Sequence, residues 1–305
     1  MSGVFTHDRT SGSSGVARGF LDALDQFVGT DRSSDSRALR AALLAWLREA
    51  QAAQPTMALV HQLAARALSV ADTSVARGER PADLRAHVAA SCAAERGDLE
   101  RALADSAKVA AQLLSSKSPW IATLSASEAV LASLLRMSAT GHKPRVLVAE
   151  SRPRFEGRDT ARTLGLAGIE TWLVADAALP MLLSQASALW IGADAVTDLG
   201  VINKIGSYTT ALAAREHGVP VWSIAVRRKL LPASTPALGI AEMPASEIWD
   251  APPAGVQPRN VYFEMVPMAL LRGVVVEDSV LGATEVAVAA KDRELPAELA
   301  AAARA

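Results

Sequence analysis

The stretch over residues 187–226 constrains the fold of this chain more than any other. It opens with an apolar run, residues 187–192, that has the length and composition of a strand buried on both faces. After a polar loop, apolar residues recur at helical spacing over residues 204–217, and a glycine and a proline then end the predicted helix. Residues 221–226 form a second apolar run. A strand, a helix and a strand in this order predict a parallel β-α-β unit.

The same alternation extends over the second part of the chain. Short apolar runs at residues 120–124, 145–149 and 168–174 alternate with helical patterns, whereas the residues before them show only helical periodicity. We therefore predict an α/β fold made of two domains. An N-terminal helical domain covers residues 1–117, and a C-terminal domain with a Rossmann-like, doubly wound parallel sheet covers residues 118–305.

Composition and motif spacing exclude several kinds of partner. The 305 residues carry 31 basic and 32 acidic side chains without a basic run, so we expect no nucleic-acid partner. No uncharged apolar stretch is long enough to span a membrane, so we expect no membrane partner. The single cysteine is typical of a cytoplasmic protein. The histidines show no metal-ligand spacing, and no glycine-rich dinucleotide motif follows the first predicted strand, so we expect neither a metal nor another cofactor.

Charged and polar groups converge within the opening stretch. Asp194 comes just past the carboxyl end of a predicted strand, which is where open parallel sheets bind their ligands. Asn203 and Lys204 stand where the predicted helix begins, and the N-terminus of a helix attracts anions. An acid, an amide, an ammonium group and a helix N-terminus at one place indicate a site for a polyhydroxylated anion such as a sugar phosphate.

These residues resemble a family that contains 5-methylthioribose-1-phosphate isomerase, ribose-1,5-bisphosphate isomerase and the alpha, beta and delta subunits of translation initiation factor 2B. The resemblance rests on Gly-Ala-Asp at residues 192–194 and Asn-Lys-Ile-Gly-Ser at residues 203–207. Two further segments, residues 150–158 and 260–267, look like other signatures of the family, so that the likeness covers most of the chain. It implies a phosphorylated sugar or a nucleotide as small-molecule ligand, and a homodimer formed through the sheet domain.

The resemblance also implies which residues form the site. The family's catalytic aspartate corresponds to Asp194. Its catalytic cysteine lies in a Thr-His-Cys-Asn segment that reads Thr-Leu-Ser-Ala at residues 123–126, so that Ser125 stands in place of the cysteine. Phosphate would be held by Arg152, Lys204 and the helix N-termini at Gly157 and Asn203. The full set of ligand-binding residues that the likeness implies is Ser14, Gly15, Arg18, Arg152, Glu156, Gly157, Arg158, Asn203 and Lys204.

Two of these positions depart from the isomerases. A thiol with a pKa near 8.5 exchanges protons at neutral pH, whereas the hydroxyl of Ser125 is far less acidic and needs an adjacent base. Glu156 stands where the isomerases usually have glutamine and the delta-type subunits glutamate. A carboxylate beside a phosphate repels it unless Arg152 or Arg158 neutralises the charge.

Two hypotheses about function therefore stay open. In the first, the protein is an aldose–ketose isomerase acting on a pentose 1-phosphate such as ribose 1,5-bisphosphate, with Asp194 as acid/base and Ser125 as a weak partner or ligand contact. In the second, it is a non-catalytic sensor of a sugar phosphate or nucleotide that resembles the initiation-factor subunits. Asp194, Asn203 and Lys204 fit ligand binding under both hypotheses, and the loss of the cysteine favours the second.

Overall fold

Helices make up the first part of the chain. The computed structural model describes residues 4–8, 11–116 and 119–300. The predicted domain boundary, between residues 117 and 118, lies outside the described residues, so this division stays a prediction. The helices before the boundary are α1 (Ser13–Thr30), α2 (Ser36–Ala53), α3 (Ala58–Ala76) and α4 (Pro81–Ala110).

The helical region packs around an aromatic cluster. Phe5 and Phe20 meet edge to face with ring centroids 5.8 Å apart, and the rings of Phe20 and Trp46 are 5.5 Å apart. Helix α2 begins at Ser36 because the carboxylate of Asp35 accepts hydrogen bonds from two backbone N–H groups of the first turn. The cluster packs the start of the chain against α1 and α2.

A mostly parallel sheet forms the second part of the chain, as the sequence predicts. Its strand order is β10-β9-β7-β4-β1-β2-β3, and only β10 runs antiparallel to its neighbour. The strands in chain order are β1 (Trp120–Leu124), β2 (Arg145–Ala149), β3 (Thr171–Val174), β4 (Ala188–Ile191), β5 (Ala195–Val196), β6 (Gly200–Lys204), β7 (Val221–Ile224), β8 (Phe263–Pro267), β9 (Gly273–Val275) and β10 (Val280–Leu281).

Helices connect the parallel strands. They are α5 (Glu128–Ala139), α6 (Glu156–Leu166), α7 (Leu179–Leu182) and α8 (Ser207–Glu216), and α9 (Ala283–Lys291) and α10 (Ala297–Ala300) follow the sheet. Strands β1 and β4 are buried along their whole length, which matches their uninterrupted apolar sequences. None of the helices in the described part of the chain is both long enough and apolar enough to cross a membrane.

The sheet has its topological switch point between β1 and β4. The chain starts at β1, adds β2 and β3 on one side, and then returns to place β4, β7 and β9 on the other side. Ligands of open α/β sheets bind beyond the carboxyl ends of the strands at such a point. Ser125 follows β1 and Asp194 follows β4, so the topology brings the two predicted catalytic residues to the same crevice.

The helix predicted over residues 204–217 begins later than the sequence indicates. Residues Gly200–Lys204 form β6, which pairs antiparallel with β5 and β8 in a second, three-stranded sheet. The chain then turns at Gly206, whose φ of +97° lies in the left-handed region that favours glycine, and α8 begins at Ser207. Asn203 and Lys204 therefore lie at the end of a strand and not at a helix N-terminus.

Candidate functional site

A cavity of about 230 Å³ lies at the switch point, between the helical region and the sheet. Residues of α1 and of the loop before α3 form one wall, and the segments that follow β1 and β4 form the other. Of the residues predicted from sequence, the structure brings six to this cavity, namely Ser14, Ser125, Glu156, Asp194, Asn203 and Lys204.

Backbone hydrogen bonds hold Asp194 in the lining of the cavity. Its N–H donates to the carbonyl of Ile202 at 2.8 Å, and its carbonyl accepts from the N–H of Ala58 at 3.0 Å, so that it links β6 to the start of α3. Its side chain is buried, and this burial raises the pKa of Asp194 to about 6, although the charges of Lys229 and Lys204 oppose the shift. A carboxyl group with a pKa near 6 can both give and take a proton close to neutral pH.

Lys229 is the cation that sequence analysis missed. It lies in a 3-10 turn, Arg227–Lys229, a few residues after β7, and is only 3% exposed. Its Nζ donates to the carbonyl oxygen of Ala193 at 2.6 Å. Burial lowers the pKa of Lys229, while the negative charges of Asp194 and Glu128 oppose that shift. The sequence signal for this residue is its place after the carboxyl end of β7, the strand next to β4.

Lys204 and Glu156 form a buried ion pair across the cavity. Nζ of Lys204 lies 2.6 Å from Oε1 of Glu156, and the two side chains are 3% and 11% exposed. Nζ also lies 4.7 Å from the centre of the Tyr262 ring. The sequence pointed to Arg152 or Arg158 as the group that neutralises Glu156, but Lys204 does so instead. Because the pair carries no net charge, Lys204 does not present an unopposed cation to a ligand.

Asn203 acts mainly within the fold. Its Nδ2 donates to Oγ of Ser207 at 2.8 Å, and that hydroxyl donates to the carbonyl of Lys204 at 2.6 Å. These bonds fix the turn between β6 and α8, so one of the two N–H donors of the side-chain amide is used within the fold while the side chain lines the cavity. The structure therefore supports Asn203 as a wall of the site more directly than as a phosphate donor.

Ser125 occupies a left-handed backbone conformation with φ of +65°. Its N–H donates to Oγ of Ser151 at 2.7 Å, and its carbonyl accepts from Oγ1 of Thr160 at 2.7 Å. Ser151 is left-handed as well, with φ of +66°. Such conformations cost about 1–2 kcal/mol in non-glycine residues and concentrate at functional sites. The bonds hold Ser125 at the wall of the cavity.

The N–H group of Gly157, which the sequence predicts to bind phosphate at a helix N-terminus, already has a hydrogen-bond acceptor within the protein. The N–H of Gly157 donates to the carbonyl of Glu150 at 3.2 Å. A Cβ added at Gly157 would lie 1.8 Å from the carbonyl oxygen of Ala149, so this position needs glycine because α6 crosses the end of β2 at very short range. The expectation that Gly157 donates to phosphate is thus replaced by a packing role.

The predicted arginines lie outside the cavity lining. Arg18 forms two hydrogen bonds with the carboxylate of Glu128, at 2.6 and 3.0 Å. Arg158 bonds Glu150 at 2.8 Å, and both Arg152 and Arg158 stand over the ring of Phe155. Their charges are engaged by these neighbours, so the structure does not bring them to the ligand space. Gly15 is likewise absent from the described lining residues, although the adjacent Ser14 is present.

Among the residues that the structure describes, no group of three or more histidine, cysteine, aspartate or glutamate side chains could hold a metal ion. Cys92 is buried, and burial raises the pKa of its thiol to about 11. A thiol that is protonated at neutral pH is a poor nucleophile and a poor metal ligand.

The chain is similar in sequence to initiation-factor-like proteins and to sugar-phosphate isomerases. A translation initiation factor eIF-2B subunit 2-like protein of Pyrococcus horikoshii is 32% identical over 180 residues, 59% of this chain and 63% of that protein. The ribose 1,5-bisphosphate isomerase of Archaeoglobus fulgidus is 34% identical over 158 residues, 50% of each chain. The methylthioribose-1-phosphate isomerase of Citrobacter koseri is 32% identical over 169 residues, 50% of this chain and 49% of that one. The chain thus spans only about half to two thirds of the length of these relatives.

The fold and the family profile extend the likeness over nearly the whole chain. The crystal structure of translation initiation factor eIF-2B from Pyrococcus horikoshii superimposes with a TM-score of 0.77 at 25% identity, covering 91% of this chain and 94% of that one. The profile described as the initiation factor 2 subunit family matches residues 9–283. All the strands, and every segment that lines the crevice except residues 6–8, fall within this range, and the chain belongs to the initiation factor 2 subunit family.

Proposed function

We propose that the cavity binds a phosphorylated pentose and that the protein is an aldose–ketose isomerase acting on a pentose 1-phosphate. The observation that carries the proposal is the state of Asp194. It is buried at the switch point between two lysines, and its pKa of about 6 suits a group that must exchange protons near neutral pH. Isomerases of ribose 1,5-bisphosphate and methylthioribose 1-phosphate are similar to this chain over about half of its length.

In this proposal three residues of the cavity have one task each. Asp194 gives or takes the proton when the sugar ring opens and hydrogen moves between C2 and C1. Lys229 keeps the carboxyl group of Asp194 from being protonated completely at neutral pH, because its positive charge opposes the effect of burial. Ser125 offers a hydroxyl to the substrate from the opposite side of the crevice. Its carbonyl and N–H are both hydrogen-bonded, so its backbone is fixed at the wall of the crevice.

The sensor hypothesis keeps one specific observation in its favour. Lys204, the cation expected to hold phosphate, is paired with Glu156, and Ser125 supplies no thiol. A site with opposed charges and a weak proton-transfer partner can bind a sugar phosphate or a nucleotide without converting it. Under this alternative Asp194 accepts a hydrogen bond from a sugar hydroxyl and takes no part in chemistry.

One experiment separates these functions. Purified protein is incubated with ribose 1,5-bisphosphate and with 5-methylthioribose 1-phosphate, and ketose formation is followed by NMR alongside ligand-induced changes in thermal unfolding. Turnover of either sugar supports the isomerase. A rise in unfolding temperature without turnover supports the sensor. Nucleoside monophosphates are tested in the same way. The absence of turnover and of stabilisation with all of these ligands would refute both proposed functions.

The homodimer also belongs to the proposal. It rests on resemblance to the family, whose members pair through the sheet region. Light scattering at micromolar concentration should give about twice the chain mass of 31.9 kDa. A mass equal to one chain would contradict the dimer without affecting the ligand site.

A further inference from the structure

The cavity lining carries more acidic than basic side chains. Among the described lining residues, Lys204 and Lys229 are basic, whereas five are acidic: Asp8, Glu128, Glu156, Asp194 and Glu242. Arginines outside the lining pair with two of the acids, Arg18 with Glu128 and Arg259 with Glu242. Each of the two lysines faces a carboxylate, so the ligand space offers no surplus of positive charge.

Glu156 is the acid whose position matters most. It is 9% exposed, and its Oε1 lies 2.6 Å from Nζ of Lys204. Its other carboxylate oxygen, Oε2, is buried and accepts no hydrogen bond from the described residues. Buried oxygens of native proteins are normally hydrogen-bonded, so an oxygen in this state calls for a donor. A sugar hydroxyl is such a donor, whereas a phosphate dianion has none to give.

We propose that the site takes a pentose carrying a single phosphate group, and that Glu156 is the specificity-determining residue that excludes a second one. This inference rests on the proposed binding of a phosphorylated pentose. A phosphate group brings a charge of about −1.5 to −2 at neutral pH. The positive charges of Lys204 and Lys229 together attract one phosphate group. A second phosphate group doubles the negative charge of the ligand, and both lysines already face carboxylates.

The affinity ratio between mono- and bisphosphate measures this selectivity. Binding of ribose 1-phosphate, ribose 5-phosphate and ribose 1,5-bisphosphate to the full chain is compared by titration calorimetry. We expect the wild-type protein to bind the better of the two monophosphates at least about ten-fold more tightly than the bisphosphate, a difference of about 1.4 kcal/mol. In Glu156→Gln, the amide keeps a hydrogen bond to Lys204 but removes the negative charge. The preference should then shrink by about ten-fold or reverse.

A matched control separates this effect from a general change in charge. Glu242 also lines the cavity, but its carboxylate is 55% exposed and paired with Arg259. Glu242→Gln should leave the affinity ratio unchanged within about two-fold, because solvent screens an exposed pair. Where Glu156→Gln does not fold, the smaller Glu156→Ala removes the same negative charge and leaves Lys204 in place, and the preference should shrink in the same way.

The outcomes distinguish this inference from the function on which it depends. Wild-type protein that binds the bisphosphate as tightly as a monophosphate would overturn the role of Glu156 and leave the phosphorylated-sugar site intact. An affinity ratio that is the same in Glu156→Gln as in the wild type would also overturn the role of Glu156. Wild-type protein that binds none of the three sugars and is not stabilised by 5-methylthioribose 1-phosphate either would overturn the proposed function and this inference together.

Discussion

The charged side chains of this site are buried, and each lies near a side chain of opposite charge. Asp194 lies near Lys229 and Lys204, and the latter pairs with Glu156. Burial alone would leave such groups neutral, since removing a charge from water is costly unless a partner compensates. The opposing charges hold the pKa of Asp194 at about 6. The chemistry of the site therefore depends on the pairs and not on one residue.

The raised pKa of Asp194 predicts a pH-dependent stability difference between wild type and Asp194→Asn. The ordinary aspartate pKa is 3.8, so the folded state, at about 6, binds the proton more tightly than the unfolded chain. Lowering the pH from about 7 to 4 should therefore stabilise the wild type relative to the variant, by at most about 3 kcal/mol. Urea unfolding at several pH values measures this, and a difference that is constant with pH would contradict the assignment.

Asp194→Asn also tests catalysis directly. The amide keeps the size of the side chain but cannot carry the proton, so turnover should fall by a factor of about 10² to 10⁴ with little change in affinity. In the wild type, kcat/KM should decrease as the pH falls below about 6 if the ionised carboxylate is the base. A change in affinity without any change in rate would support the sensor instead.

Ser125→Cys should produce or increase isomerase activity. A thiol at this position lies at the wall of the crevice, and nearby lysines lower the pKa of a thiol and make it more reactive. Alkylation by iodoacetamide, monitored by mass spectrometry, should be faster at this cysteine than at the buried Cys92 and slower when a sugar phosphate is bound. An introduced thiol that is unreactive and catalytically silent while ligand still binds would argue against the enzyme.

At the scale of elements, the approach of α6 to the end of β2 positions Glu156. The absence of a side chain at Gly157 lets the first turn of α6 reach the carbonyl of Ala149, where a Cβ would come within 1.8 Å. That turn carries Glu156, whose partner Lys204 lies at the end of β6 in the other sheet. The ion pair therefore joins helix α6, which packs on β2 of the seven-stranded sheet, to the three-stranded sheet.

Two alanine substitutions in the same helix test this packing. Gly157→Ala forces α6 away from β2 and should lower stability by about 1–3 kcal/mol or more, together with ligand affinity. Gly165→Ala is the matched control, because a Cβ there meets no atom within 4 Å. It should be neutral or stabilising by up to about 1 kcal/mol, since glycine is unfavourable inside a helix. Equal effects of the two changes on thermal unfolding would refute the packing role.

For the whole molecule, the turn Arg227–Lys229 ties the helical region to the sheet. The N–H of Arg227 donates to the carboxylate of Glu277 at 3.0 and 3.1 Å, just after β9. Arg228 lies 2.7 Å from the buried carboxylate of Glu95 on α4. Lys229 reaches into the cavity. Three consecutive basic residues thus connect the sheet, the helical region and the site.

Loss of the contact between Arg228 and Glu95 on α4 should weaken ligand binding at the site. Glu95→Ala leaves Arg228 without its closest carboxylate and should cost about 2–3 kcal/mol, in addition to weakening sugar-phosphate binding by displacing Lys229. Asp98→Ala, on the same helix, removes an exposed carboxylate 3.6 Å from Arg228 and should change stability by less than about 0.5 kcal/mol. Chemical unfolding and ligand titration of both variants measure the two effects. Full ligand affinity in Glu95→Ala would show that the turn does not depend on this anchor.

Local sequence patterns are enough to predict the class of fold and two residues at the centre of the site. Buried strands are uninterrupted apolar runs, and helices repeat every 3.6 residues, so their alternation alone predicts the mostly parallel sheet. Topology then places Ser125 and Asp194 together, because both follow strands that meet at the switch point. These properties depend on local patterns and on connection rules that a sequence contains.

The pairing of opposite charges, by contrast, depends on contacts that form only in the folded chain. Lys204 faces Glu156, Arg158 faces Glu150, and Lys229 enters the cavity from a segment without regular periodicity. Residues 200–204 pair as a strand with β8, far along the chain, which local propensity does not reveal. Ion pairs and strand partners form between residues distant in sequence, so their energies depend on distances and burial that exist only once the chain has folded.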